Sequence, residues 1–162
     1  MLFWDASALV KAYSDEPGTD KVRGAFKVTR REGSLLTELV LLEVLTVLTK
    51  HLRSSLISGR EYTAALKDFD RDAASAFDFV EVDGPTRRRA FQLARQHGRS
   101  SLGAMDLLHL AAALSAQKAT GLQPIVFATS DVRLQAAARA EGLLTFNPEA
   151  DPLSKLLRLL SN

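Results

Sequence analysis

Short apolar runs alternate with longer segments of helical periodicity along the whole chain, and this alternation constrains the fold more than any other feature. Leu2-Phe3-Trp4, Ser34-Leu35-Leu36, Phe79-Val80-Glu81-Val82, Pro124 to Ala128 and Leu143 to Phe146 read as strands. The spacing predicts helices over Ala8 to Tyr13, Thr19 to Arg31, Glu38 to Ser54, Ser58 to Ala76, Pro85 to His97, Gly103 to Ala119, Asp131 to Glu141 and Pro152 to Leu160. Local chemistry marks their ends. Glu16-Pro17-Gly18 breaks the first, and Gly33, Gly98 and Gly142 stop later ones. Ser58 with Glu61 three residues on is a capping box, and Pro85 suits a first helical position. Strands alternating with helices predict an α/β fold, a parallel sheet covered on both faces. Such sheets bind ligands beyond the carboxyl ends of their strands, where the strand order reverses.

Length and composition set the frame. The chain of 162 residues is 46% hydrophobic and 25% charged, the balance of one soluble domain with a sizeable core. No apolar run is long enough to span a membrane, and no secretory signal is expected at the N-terminus. The absence of cysteine excludes disulfides, thiolate metal sites and cysteine nucleophiles, and fits a cytoplasmic protein. A net charge of +2 means that any affinity for nucleic acid comes from local patches.

The candidate site residues are acids in apolar company. Asp5 follows Leu2-Phe3-Trp4, Glu43 sits inside Leu39 to Leu45, Asp106 lies in Met105-Asp106-Leu107-Leu108, and Asp131 falls just after the strand ending at Ala128. An unpaired buried carboxylate costs several kcal/mol or takes up a proton, and several together repel. A bound cation removes both penalties. Oxygen donors without thiolates point to Mg²⁺, with Mn²⁺ expected to substitute, and this chemistry suits phosphodiester hydrolysis. Each acid also has a structural reading: Asp5 as a polar stop after a strand, Glu43 on an exposed stripe with Lys50 and Arg53, Asp106 at a helix start, Asp131 as an N-cap.

These positions resemble the PIN-domain ribonucleases, particularly the VapC-type toxins of toxin–antitoxin pairs. The matching segments are Trp4-Asp5-Ala6-Ser7-Ala8-Leu9-Val10-Lys11, Leu42-Glu43-Val44, Gly103 through Asp106 and His109 to Ala111, and Ala128-Thr129-Ser130-Asp131. Glu141-Gly142-Leu143 through Asn147-Pro148-Glu149 is also similar, so the likeness spans about residues 1–149. The resemblance implies a single Rossmann-like domain with a mostly parallel sheet of four to five strands flanked by helices. It implies a Mg²⁺-dependent endoribonuclease with Asp5, Glu43, Asp106 and Asp131 as catalytic acids and metal ligands. Ser7 and Thr129 match hydroxyls that position water or substrate. Hydrolysis would proceed by attack of an activated water, without a covalent intermediate. The same resemblance implies an RNA substrate, a VapB-like antitoxin partner and a homodimer. Residues 150–162 add a Leu-rich helical tail, expected to pack on the core or extend the domain's surface.

Other signals are weaker. Arg87-Arg88-Arg89 with Arg95 and Arg99, and Lys50, His51 and Arg53, form basic neighbourhoods that read either as solvated helix faces or as phosphate contacts. Lys11 reads as a surface lysine or one that approaches the acids. His109 shares a helix face with Asp106 and reads as a packed, hydrogen-bonded histidine rather than a ligand. Phe3 and Trp4 are expected in the core. Competing classes fit less well. A haloacid-dehalogenase-like phosphatase needs a second Asp where Ser7 stands, and a receiver-type switch needs an acidic pair, a central-strand Asp and a late Lys, of which Asp83 mimics at most one. A PIN-like binding module without activity is the third alternative.

Overall fold

Alternation along each strand decides the layers. The computed structural model describes residues 1–29, 33–121 and 124–161. Strands β1 (Leu2–Trp4), β2 (Ser34–Leu36), β3 (Asp78–Phe79), β4 (Val126–Ala128) and β5 (Leu144–Phe146) form one sheet, ordered β3-β2-β1-β4-β5, with every neighbouring pair parallel. Leu2, Trp4, Leu36, Val126, Ala128 and Phe146 enter one core, while Phe3, Leu35, Ile125 and Phe127 enter the other. This period of two, with both faces apolar, is what a parallel sheet between helical layers requires. Trp4 and Phe3 are fully buried, Trp4 Nε1 donates to Ser34 Oγ at 3.2 Å, and Phe3 stacks on Phe127.

Helices fill the connections: α1 (Ala6–Leu9), extended by a 3-10 turn at Val10–Ala12, then α2 (Thr19–Thr29), α3 (Glu38–Arg53), α4 (Gly59–Ser75), α5 (Gly84–Gln96), α6 (Ala104–Thr120), α7 (Val132–Ala140) and α8 (Leu153–Leu160). The Ser58–Glu61 capping box is present. The first helix begins two residues earlier than the sequence suggests because the Asp5 side chain caps it, accepting from the Ser7 amide. Strand β3 is shorter and earlier than expected: pairing ends with Val80 N on Leu36 O, after which the chain turns to Asp83, whose side chain caps α5. Asp83 is therefore an N-cap, and Pro85 falls at the second helical position. The expected end of α2 at Arg31 lies outside the described residues. Gly18 needs its positive φ, 93°, and a Cβ there would lie 2.7 Å from Pro148 O.

The C-terminal tail packs on the core: Leu156 of α8 is fully buried, and Leu153, Leu159 and Leu160 pack beside it. No described helix is long and apolar enough to cross a membrane.

Candidate acidic site

The strand order places a reversal between β1 and β4, and the sequence puts Asp5 and Thr129 immediately beyond their carboxyl ends. The backbone there is fixed by the sheet itself. Asp5 N donates to Ala128 O at 3.0 Å, and Thr129 N donates to Phe146 O at 3.1 Å.

Asp5 is 4% exposed. Its Oδ2 accepts from Ser7 Oγ, from Ser7 N at 3.2 Å and from Thr129 Oγ1 at 3.0 Å. Ser7 Oγ also accepts from Ser130 N at 3.0 Å, and Thr129 Oγ1 accepts from Asp131 N at 3.1 Å. The two hydroxyls, expected to position water or substrate, are thus tied to the acid and to the loop after β4. Every described side-chain bond to Asp5 ends on Oδ2, which leaves Oδ1 for a ligand. Burial pushes the Asp5 carboxyl above its ordinary pKa, while the bonds from Ser7 and Thr129 and the nearby His109 ring pull the other way.

Glu43 comes from the second turn of α3. It is 30% exposed on its side chain, so it lies on neither a fully solvated stripe nor a buried one. Its Oε2 meets Nε2 of His109, a ring with no exposure whose Nδ1 is 3.1 Å from Thr37 Oγ1. His109 is a packed, hydrogen-bonded histidine, and it links Glu43 to the neighbourhood of Asp5. Thr37, the residue before α3, has no signal of its own in the sequence.

Asp106 stands at the third position of α6, half-buried, with Oδ2 accepting from Gly103 N at 2.8 Å. This is the helix-start role open to it from sequence, and its other oxygen has no hydrogen-bond partner among the described residues.

Asp131 caps α7, accepting at Oδ1 from Arg133 N at 2.7 Å and Leu134 N at 3.3 Å. The Arg133 guanidinium also grips it, at 2.7 Å on Oδ2 and 3.2 Å on Oδ1, and holds its carboxyl below the usual range. Arg133 further donates to Ser101 O at 3.3 Å and feels the charge of Asp106. Arg133 carried no signal in the sequence beyond standing two residues after Asp131.

Thus His109 joins Glu43 and lies within charge range of Asp5, Asp106 shares a helix with His109, and Asp131 is drawn onto Arg133. Among the described residues, no three acid or histidine side chains converge into a ready-made metal cage. The donor chemistry nevertheless fits a hard cation. Among the described residues, Asp5 is a buried carboxylate with one oxygen open, and Ser130 Oγ in the same loop is buried without a partner.

The expected basic neighbourhoods divide. Lys11 is neither at the surface nor at the acids: it is buried, 3.0 Å from Glu16 and 2.8 Å from Glu149. His51 is taken up by Ser14 Oγ at 3.1 Å. Arg89 and His97 both bind Glu141.

A parallel α/β sheet with Asp5 buried at its switch point defines a ligand-binding architecture rather than one activity. The chain belongs to the PIN domain family, whose model matches residues 2–140. Comparison with curated proteins finds no match. Among solved structures, the chain is similar to FitAcB from Neisseria gonorrhoeae, with a TM-score of 0.67 at 18% identity over 93% of this chain and 100% of that one. It is also similar to VapBC2 from Rickettsia felis bound to a DNA fragment from their promoter, with a TM-score of 0.62 at 16% identity over 91% of this chain and 98% of that one. A third is PAE2754 from Pyrobaculum aerophilum, with a TM-score of 0.63 at 21% identity over 99% of this chain and 96% of that one. At these identities the likeness establishes the fold.

Proposed function

We propose that this chain is a Mg²⁺-dependent endoribonuclease and the toxin of a toxin–antitoxin pair, acting in the cytoplasm. The observation that carries the reading is Asp5: a buried carboxylate at the switch point, fixed by Ser7 and Thr129 through Oδ2, with Oδ1 free of hydrogen bonds among the described residues. Asp5 and Asp106 would hold the ion, with Glu43 beside them and Asp131 at the rim. A bound Mg²⁺ supplies a water of lowered pKa and neutralises charge on the phosphate oxygens. The protein's own part is positional. Ser7 and Thr129 keep Oδ2 of Asp5 occupied so that Oδ1 points one way, and His109 orients Glu43. Arg133 carries positive charge beside Asp131, where a substrate phosphate would add to its partners.

Similarity to FitAcB and VapBC2 supports a small antitoxin as partner, and the PIN family supports a homodimer. A PIN-like binding module without activity is the second reading, favoured by Arg133 on Asp131 and His109 on Glu43. Cleavage of single-stranded RNA separates the two. Wild type should cleave with Mg²⁺ and stop with EDTA, and Asp5→Asn or Asp106→Asn should lose at least a hundredfold in rate while staying folded. Equal cleavage by wild type and both variants refutes the nuclease reading at these acids.

A further inference from the structure

We propose that the outer face of α5, formed by Phe91 and Arg95 with Arg99 just beyond, is a track along which single-stranded RNA approaches the acids; this rests on the ribonuclease reading. Helix α5 contains four arginines and no acid. Helix α4, by contrast, mixes Arg60, Lys67 and Arg71 with Glu61, Asp68, Asp70 and Asp72. Like charges one turn apart repel, and Arg87 and Arg88 lie near the positive end of the helix dipole. A solvated helix face balances its charges, whereas this one is left in excess for a polyanion to neutralise.

The excess is only partly absorbed internally, since Asp83 at the helix start faces Arg87 and Arg88. Arg89 is used by Glu141, and Arg87 donates to Val82 O. The side chains of Arg95 and Arg99 form no ion pair or hydrogen bond among the described residues. Phe91 is 72% exposed while Ala90 and Leu93 face the core. It stands four residues before Arg95 on the same helix face, while Arg88 turns back over Gly84 toward Asp83. It is the one large exposed apolar side chain on α5. A protein partner would need a wider apolar patch. An isolated exposed ring on the same face as Arg95 instead matches a strand that alternates bases with phosphates, since any base can stack on it.

Chain connectivity ties the end of this face to the loop before Asp106. Phe91 and Arg95 are separated by about 6 Å of helix rise. Arg99 precedes Gly103 by four residues, at most about 14 Å of chain, and Gly103 N is hydrogen-bonded to Asp106. Arg133 pins the intervening loop through Ser101 O.

The test uses Asp5→Asn protein in EDTA, which the ribonuclease reading expects to leave RNA intact, and the anisotropy of a labelled single-stranded RNA. Phe91→Ala should weaken binding about tenfold, with Phe91→Trp retaining it. Arg95→Gln with Arg99→Gln should flatten the slope of log affinity against log salt by about 1.4. In otherwise wild-type protein, Phe91→Ala should raise KM for long RNA and leave turnover of a dinucleotide unchanged. Unchanged affinity and salt slope overturn the track, as does a Phe91→Ala defect confined to binding of an acidic protein partner. If the variants match wild type while Asp5→Asn abolishes cleavage, the track alone falls. If Asp5→Asn leaves cleavage intact, the ribonuclease reading falls and the track with it.

Discussion

His109 of α6 and Glu43 of α3, 66 residues apart, are joined through Nε2 and Oε2, and Thr37 holds the other ring nitrogen. The imidazole therefore stitches two helices from opposite sides of the sheet at the carboxyl end of β1. Replacing it with alanine leaves a void, an orphaned threonine hydroxyl and an unpaired acid. His109→Ala should lower unfolding free energy by about 2–4 kcal/mol, read by urea denaturation. A loss within about 0.5 kcal/mol, the range of an ordinary surface change, would mean that the contact does not order the site.

Asp5 gives a pH dependence with a definite sign. Its folded pKa is raised, chiefly by burial. The folded state therefore binds this proton more tightly than the unfolded state. Its contribution is fully present below the ordinary carboxylate pKa and is lost as pH rises through the raised value. Asp5→Asn keeps an acceptor for Ser7 and Thr129 without the charge. In EDTA, Asp5→Asn should melt above wild type at pH 7, and the gap should close toward pH 4. A variant that melts below wild type at pH 7 contradicts the burial cost.

Arg133 and Asp131 make separable predictions. Asp131→Ala removes the cap of α7 and should cost about 1 kcal/mol. Arg133→Gln breaks a half-exposed pair and should cost less than about 1 kcal/mol. Removing that cation from beside Asp131 and Asp106 should also strengthen Mn²⁺ binding, measured calorimetrically. Weaker Mn²⁺ binding in Arg133→Gln would show that Arg133 supports the ion's site instead of competing for it.

The tail makes its own prediction. Leu156 is fully buried against the first core. Leu156→Ala should cost about 2–5 kcal/mol, seen as a lowered urea midpoint. A neutral result would mean that the tail is an appendage.

Much of the architecture was legible because parallel strands buried on both faces leave unbroken apolar runs. Leu2 to Trp4 and Ser34 to Leu36 match the observed strands residue for residue. Strand β3 was misplaced because it is a two-residue edge, with little apolar signal to separate Asp78 from Val80. The acids could be picked out by their apolar neighbours, but their partners could not. Periodicity shows that Glu43 faces inward or outward, yet it says nothing of His109 arriving from another helix. Lys11 was misjudged for the same reason: a lysine in a sequence reads as surface, and only the fold brings Glu149 across to bury it. Arg133 escaped because a charged residue after an N-cap has an ordinary helical explanation.

The central claim is that residues from separate elements, Asp5 after β1 and Asp106 on α6, jointly hold a divalent cation. Calorimetric titration of EDTA-stripped protein with Mn²⁺ tests it most directly. Saturable binding that raises the melting temperature, and that disappears in both Asp5→Asn and Asp106→Asn, is the predicted result. Binding that survives in either variant, or none in wild type, would contradict a shared ion at this site.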